Sequence, residues 1–169
     1  MANTCAICGA TINVLQSQKL MDGNYICTKG CRAKGLKYYD YVHSDLDNVK
    51  DHIHQTEVGT KIWEDLMEPL KKTRDKNQKM QAFRPIFIAP SLGLIAVTEA
   101  RGGLFNTKTY ACVYRLENLQ LYRTERMPAR TSGSDKDKMC VHLGFVHTKG
   151  LNDVYIPFDD ETRCHHCLA

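Results

Sequence analysis

The sequence predicts an α+β protein in three parts, and three observations support this expectation. Residues 1–40 contain four closely spaced cysteines, which is typical of a small metal-stabilised module. Apolar residues recur at helical spacing over residues 41–82, which indicates two helices. Residues 83–169 contain short β-branched and aromatic runs separated by turn signals, and these predict a mainly antiparallel β domain.

The composition is typical of a globular protein. Of the 169 residues, 25% are charged and 43% are apolar, which argues against global disorder. We expect no membrane helix, because there is no long apolar run, and no secretory signal, because a basic region followed by an apolar stretch is missing. The expected compartment is therefore the cytoplasm, where thiols stay reduced. A formal net charge of +4 is too small to predict nucleic-acid binding by itself.

Two close pairs of cysteines are the strongest functional signal. Cys5 and Cys8 are spaced C-x2-C, Cys27 and Cys31 are spaced C-x3-C, and eighteen residues separate the pairs. A redox dithiol would need a βαβ context, and four unrelated buried thiols would leave the paired spacing unexplained. The pattern therefore predicts an N-terminal zinc ribbon. Four cysteine ligands leave no position for water or substrate, so the expected Zn²⁺ ion is structural.

Turn residues indicate how the two pairs could reach one ion. Gly9 follows the first pair and Gly30 lies inside the second, and glycine can adopt the positive φ of a sharp turn. Asp22 and Gly23 form a strong hairpin signal between two short strands. A segment this small has little apolar core, so we expect it to depend on the metal for folding.

The stretches CAICG and KLMDGNYIC resemble a family of bacterial zinc ribbons from Gram-positive bacteria and their mobile elements, known as a domain of unknown function. The resemblance covers residues 4–55 and implies a structural zinc site without enzymatic activity. That family usually has two residues between its second pair of cysteines, whereas this chain has three before Cys31. Residues 83–158 also resemble a pleckstrin-homology-like barrel, which implies binding of proteins or lipids.

The two predicted helices have candidate N-caps at Ser44 and Thr60. Pro69 is expected to kink the second helix. Trp63 is the single tryptophan, and we interpret it as a core residue. The apolar stripe of the second helix comprises Ile62, Trp63, Leu66, Met67 and Leu70.

Basic residues are concentrated at the end of the second predicted helix. They form a candidate contact surface for phosphates, or alternatively a solvated helix end favoured by the helix dipole. No aromatic residues lie among them, so a stacking platform for single strands is not indicated. The five residues are Lys71, Lys72, Arg74, Lys76 and Lys79.

Two further groups of residues are candidate sites. The C-terminal residues Cys164, His165, His166 and Cys167 could bind a second metal ion, or form a frayed tail with free thiols. Cys140 and His142 lie on one face of a predicted strand, as a Cys–His dyad or as part of the core. No phosphate-binding loop, HExxH motif or nucleophile elbow is present, so the sequence favours a protein that is not an enzyme.

Three functions are compatible with this pattern. The first is a non-enzymatic, zinc-stabilised protein-binding protein of phage or mobile-element type. By analogy of class it would be an anti-CRISPR protein that binds a host RNA-guided nuclease of the Cas9 type and blocks DNA loading. The second is a nucleic-acid-binding regulator that uses residues 71–79. The third is a cysteine-dependent enzyme that uses Cys140 and His142 or the C-terminal tail.

Overall fold

The structure, a computed structural model, describes residues 2–127, 138–146, 148 and 152–157. These residues form one α-helix and eleven β-strands in four antiparallel sheets. The α+β class and the mainly antiparallel second half are confirmed. The prediction of two helices is wrong, since the described residues contain a single α-helix.

The N-terminal module, residues 3–31, contains two small antiparallel hairpins and is called the ribbon below. Gly23 has a φ of +86° at the turn of the second hairpin, where glycine avoids the strain of a side chain. The Asp22 carboxylate accepts a hydrogen bond from the backbone N–H of Asn24 at 3.0 Å, which closes the turn. The strands are β1 (Asn3–Thr4), β2 (Thr11–Ile12), β3 (Ser17–Lys19) and β4 (Tyr25–Cys27).

Helix α1 extends over Leu46–Ile62 and has two aspartates at its N-terminus. Asp45 is the N-cap and accepts a hydrogen bond from the Asn48 N–H at 2.8 Å, so the cap lies one residue after the predicted Ser44. Asp22 in the second hairpin accepts a hydrogen bond from the first helical N–H at 2.8 Å. The hairpin therefore fixes the start of the helix.

The second predicted helix is a continuation of α1 through a π-helical turn, Trp63–Met67, and a 3-10 turn, Glu68–Lys72. Thr60 does not cap a helix. Its hydroxyl lies inside α1 and accepts a hydrogen bond from the backbone N–H of Ala111 at 3.0 Å. Pro69 has no N–H, and its ring would clash with the carbonyl four residues earlier, so the regular α-helix cannot continue past this point.

The remaining strands form two antiparallel sheets. The first has the order β5-β6-β7-β8, and the second has the order β11-β10-β9. A 3-10 turn at Leu116–Asn118 separates β8 from β9. The strands are β5 (Gln81–Phe83), β6 (Ile86–Ala89), β7 (Leu94–Gly103), β8 (Asn106–Arg115), β9 (Leu119–Arg126), β10 (Met139–Phe145) and β11 (Asp153–Pro157).

A common hydrophobic core joins the ribbon, the helix and both large sheets. One buried cluster includes Ile26 of the ribbon, Val49 of α1, Val97 of β7 and Val141 of β10. A second cluster surrounds Trp63, which is fully buried and makes an edge-to-face contact with Phe87 at 4.8 Å between ring centroids. The prediction that Trp63 belongs to the core is confirmed.

His52 of α1 holds the segment that leaves the ribbon. This segment, residues 32–45, is named the connector here. The Leu36 N–H donates a hydrogen bond to Nε2 of His52 at 2.9 Å, and the ring of Tyr39 stacks on the imidazole at 4.1 Å. A Cβ at Gly35 would lie 2.7 Å from the same imidazole, so the close approach requires glycine. The imidazole is fully buried and accepts at Nε2, so it must be neutral.

An ion pair on β7 holds the same connector from the sheet side. Arg101 donates hydrogen bonds to the carbonyl groups of Ala33 and Gly35. Glu99 accepts a hydrogen bond from the Lys37 N–H at 2.8 Å and pairs with Arg101 at 2.8 Å. Burial opposes ionisation of Glu99, but these donors keep the pKa of its carboxyl below the usual value. The connector is therefore fixed to both the helix and the sheet.

We expect the free energy of unfolding to depend on pH through His52. Burial lowers its pKa from 6.5 to about 3, so the unfolded chain binds the proton more readily. The neutral imidazole stabilises the fold fully above pH 6.5, and this contribution is lost as the pH falls towards 3. The loss is at most about 1.4 kcal/mol per pH unit.

The measurement is urea unfolding at pH 7.5 and 5.0 of the native chain and of His52→Gln, whose amide oxygen can still accept from Leu36. The stability difference between the two should narrow by about 2 kcal/mol at the lower pH. His54→Gln is the matched control, because His54 is exposed on the same helix. If the difference in unfolding free energy between the native chain and His52→Gln is the same at both pH values, His52 is not the group that makes stability depend on pH.

Candidate metal centre

The four cysteines of the ribbon meet at one point. Their Sγ atoms all lie within 4.8 Å of one another. The Cys5–Cys31 and Cys8–Cys27 sulfur distances are both 3.8 Å. Tetrahedral ligands at a Zn–S distance of about 2.3 Å are separated by about 3.8 Å, whereas a disulfide requires about 2.05 Å. All four are free thiols, and their arrangement fits a tetrahedral metal ion.

The first cysteine pair is shaped by a tight turn after β1. The Cys5 N–H donates to the carbonyl of Ala10 at 2.8 Å, and the Gly9 N–H donates to the carbonyl of Cys5 at 2.9 Å. Gly9 has a φ of +73°, as predicted from its place after Cys8. This turn places both sulfurs on the side facing β4.

The second pair uses a different kind of turn. The Cys31 N–H donates to Sγ of Cys27 at 3.1 Å, and Cys31 is the N-cap of a 3-10 turn over Arg32–Lys34. Gly30 does not have a positive φ, so the prediction that it provides a sharp turn of this kind is wrong. Its role is steric, because a Cβ there would lie 2.8 Å from Sγ of Cys27. The three-residue spacing therefore still brings Cys31 into the cluster.

The electrostatics of the cluster favour a cation. Burial opposes ionisation of Cys5, yet hydrogen bonds from the backbone of Cys8, Cys27 and Ile7 lower its pKa to about 6. Burial and the neighbouring sulfurs raise the pKa of Cys31. The four thiols therefore cannot all ionise while they are alone together. A bound metal cation removes this conflict, and its binding releases protons.

Among the described residues, this cluster is the only group of three or more Cys, His, Asp or Glu side chains that could share an ion. Cys5 and Cys31 are 1% and 3% exposed, whereas Cys8 is exposed. The buried pair lies on the side of the connector and the core. The cluster thus has a protein-facing side and a solvent-facing side.

The predicted second metal site lies outside the described residues. It comprised Cys164, His165, His166 and Cys167. The predicted basic surface does not belong to one helix end, because helical structure stops at Lys72 and the other three residues follow in an exposed loop. These three are Arg74, Lys76 and Lys79.

Cys140 and His142 are both buried on β10. Nδ1 of His142 lies 2.7 Å from a carboxylate oxygen of Glu125, and Nε2 lies 2.8 Å from one of Asp153. The histidine also stacks on Tyr155 at 4.3 Å. Nε2 is hydrogen-bonded to Asp153 on β11, whereas Nδ1 is close to Glu125 on β9 but has no hydrogen-bond partner among the described residues.

Sequence reasoning missed the residues that attach the centre to the rest of the fold. No local pattern marks His52, which accepts a hydrogen bond from the Leu36 N–H of the connector. Glu99 and Arg101 were not selected at all. Their i and i+2 spacing on a strand indicates a shared face, which is the one local signal they offer.

We predict that Cys8→Ser removes one equivalent of bound metal and lowers Tm by roughly 10 °C or more. Cys8 is exposed, so the change removes little packing and reports on the metal. Cys112→Ser is the control, since Cys112 is fully buried in β8 away from the cluster. It should keep the metal even if it lowers Tm. The measurements are the metal content and the Tm of both variants. A Cys8→Ser protein that keeps its full metal content and an unchanged Tm would refute the site.

Comparisons with protein-family models, with curated proteins and with solved structures give no match for this chain. The described residues contain no helix that is long and apolar enough to cross a membrane. The resemblance to bacterial zinc ribbons and to a pleckstrin-homology-like barrel therefore stays a prediction. The centre is characterised by its own geometry, which is that of four cysteine ligands for one metal ion.

Proposed function

We propose that the protein is a non-enzymatic binding protein stabilised by one Zn²⁺ ion. Four sulfur ligands in tetrahedral arrangement are typical of zinc or of iron–sulfur clusters. Two knuckle-like turns around one ion favour a single zinc over a cluster. With four cysteine ligands the ion has no open position for substrate, so it acts by holding the ribbon against the connector.

The hairpin tip between β7 and β8 supports this proposal. Leu104 and Phe105 are adjacent at this tip and are 93% and 96% exposed. Isolated exposed apolar residues are common, but two large neighbours at the end of a hairpin with two ten-residue strands are a candidate anchor. Leu104 and Phe105 together are named the hairpin tip below.

The hairpin is held by the connector close to this tip, which suits a binding anchor. Arg101 on β7 is bonded to the connector and lies over the ring of Tyr110 on β8 at 4.4 Å. Pre-ordering of this kind lowers the entropy that must be lost on association. Buried aromatic and aliphatic anchors contribute strongly to protein–protein affinity. The guanidinium of Arg101 is already paired with Glu99, so it is not free to bind a phosphate.

A nucleic-acid-binding function is the second candidate, because Lys71, Lys72, Arg74, Lys76 and Lys79 are all exposed. This function would involve phosphate contacts and would weaken steeply with salt. The specific partner expected from the sequence, an RNA-guided nuclease of the Cas9 type, also stays a prediction. One capture experiment can distinguish an unspecified protein partner, a nucleic acid and an RNA-guided nuclease.

The test uses the tagged protein to capture partners from bacterial lysate with and without nuclease treatment, and the partners are identified by mass spectrometry. We expect a protein partner that is lost with the double variant Leu104→Ser, Phe105→Ser, because the variant removes the apolar anchor. Tyr122→Ser is the control, since Tyr122 is 62% exposed on β9, and it should retain the partner. If the partner is an RNA-guided nuclease, DNA cleavage by the purified nuclease should be inhibited by the native chain and spared by the tip variant.

Two results would contradict this proposal. One is capture of the same proteins by the native chain and by the tip variant. The other is recovery of nucleic acid alone, lost at about 0.3 M salt, which would favour the basic surface instead.

A further inference from the structure

A small cavity lies between the connector, the end of the helical stretch and the first large sheet. Its volume is about 290 Å³, at the lower end of the range of roughly 300–1,000 Å³ for small-molecule sites. Its wall includes Lys37, Lys71, Arg84, Trp63, Phe87 and Glu99. These residues come from distant parts of the sequence that only the fold brings together.

The cavity has an excess of positive charge. Lys37, Lys71 and Arg84 contribute three cationic side chains, whereas Glu99 contributes the only carboxylate in the wall. That carboxylate is already bonded to Arg101 and to the Lys37 N–H. A concave surface with cations from three parts of the chain concentrates field lines and attracts small anions.

The cations of this wall have few anionic partners. Among the described residues, no carboxylate forms an ion pair with Arg84 or with the ammonium of Lys37. Lys71 has Glu68 at 3.7 Å, but both side chains are well exposed, so this pair is weak. The wall therefore retains the capacity to bind an anion.

Trp63 provides a second, independent observation. The ammonium of Lys71 lies over its indole ring, 4.6 Å from the ring centroid, and 5.3 Å from the centroid of Phe87. An oxyanion at this end of the cavity would attract this ammonium, so its binding would change the surroundings of the indole.

We propose that this cavity binds the phosphate group of a small phosphate ester. Arginine binds phosphate through two parallel hydrogen bonds and lysine binds it as a point charge, so Arg84 and the two lysines form a suitable set. The small volume suits a compact ester. This site is separate from the hairpin tip, so its test is independent of the proposed binding function.

The emission of Trp63 offers a direct measurement, because it is the only tryptophan of the chain. The metal-bound protein is titrated with inorganic phosphate and with ribose 5-phosphate, and the dissociation constant is checked by calorimetry. Acetate and chloride at the same ionic strength are the reference anions. We expect saturable binding of both phosphate compounds. Ribose 5-phosphate should bind at least as tightly as inorganic phosphate, and acetate at least tenfold more weakly.

Arg84→Met and Lys37→Met should each weaken phosphate binding at least tenfold, through loss of a charge-assisted hydrogen bond. Lys108→Met is the matched control, because Lys108 also lies over an aromatic ring, 5.4 Å from the centroid of Tyr110, but outside this cavity. It should leave the dissociation constant unchanged. The proposal is overturned by emission changes that chloride reproduces, by equally tight acetate binding, or by unchanged affinity in Arg84→Met.

Discussion

The constraint on which the N-terminal half depends is that four thiols share a space of a few ångströms. Without a cation their negative charges repel one another, and the pKa values of Cys5 and Cys31 diverge in opposite directions. A cation at their centre would turn the same closeness into an attraction. The hairpins around the cluster have strands of only two or three residues, so hydrogen bonding alone cannot hold them.

The connector carries this local order into the rest of the molecule. It begins directly after Cys31, and its backbone is bonded to His52 on the helix and to Arg101 and Glu99 on the sheet. Each of these partners is buried or paired, so releasing the connector would leave unsatisfied polar groups. Ordering at the metal centre therefore supports the helix start and the hairpin that presents Leu104 and Phe105.

The parts that could be predicted from the sequence are those determined by nearby residues. The two cysteine pairs, the turn at Gly23 and the strand-rich second half follow from local chemistry and short periodicity. The second helix was predicted wrongly because Thr60 resembles a cap, while its actual partner, Ala111, lies 51 residues away. The Lys37–Glu99 and Gly35–Arg101 contacts span 62 and 66 residues, and no local pattern indicates them.

The most direct test of this account is hydrogen–deuterium exchange of the metal-loaded protein before and after treatment with a strong chelator. We expect chelation to increase exchange in both ribbon hairpins, in the connector and at the first turn of α1, while β7 and β8 stay protected near the middle of their sheet. Unchanged exchange in the connector after complete metal removal would show that the fold does not depend on the four-cysteine centre.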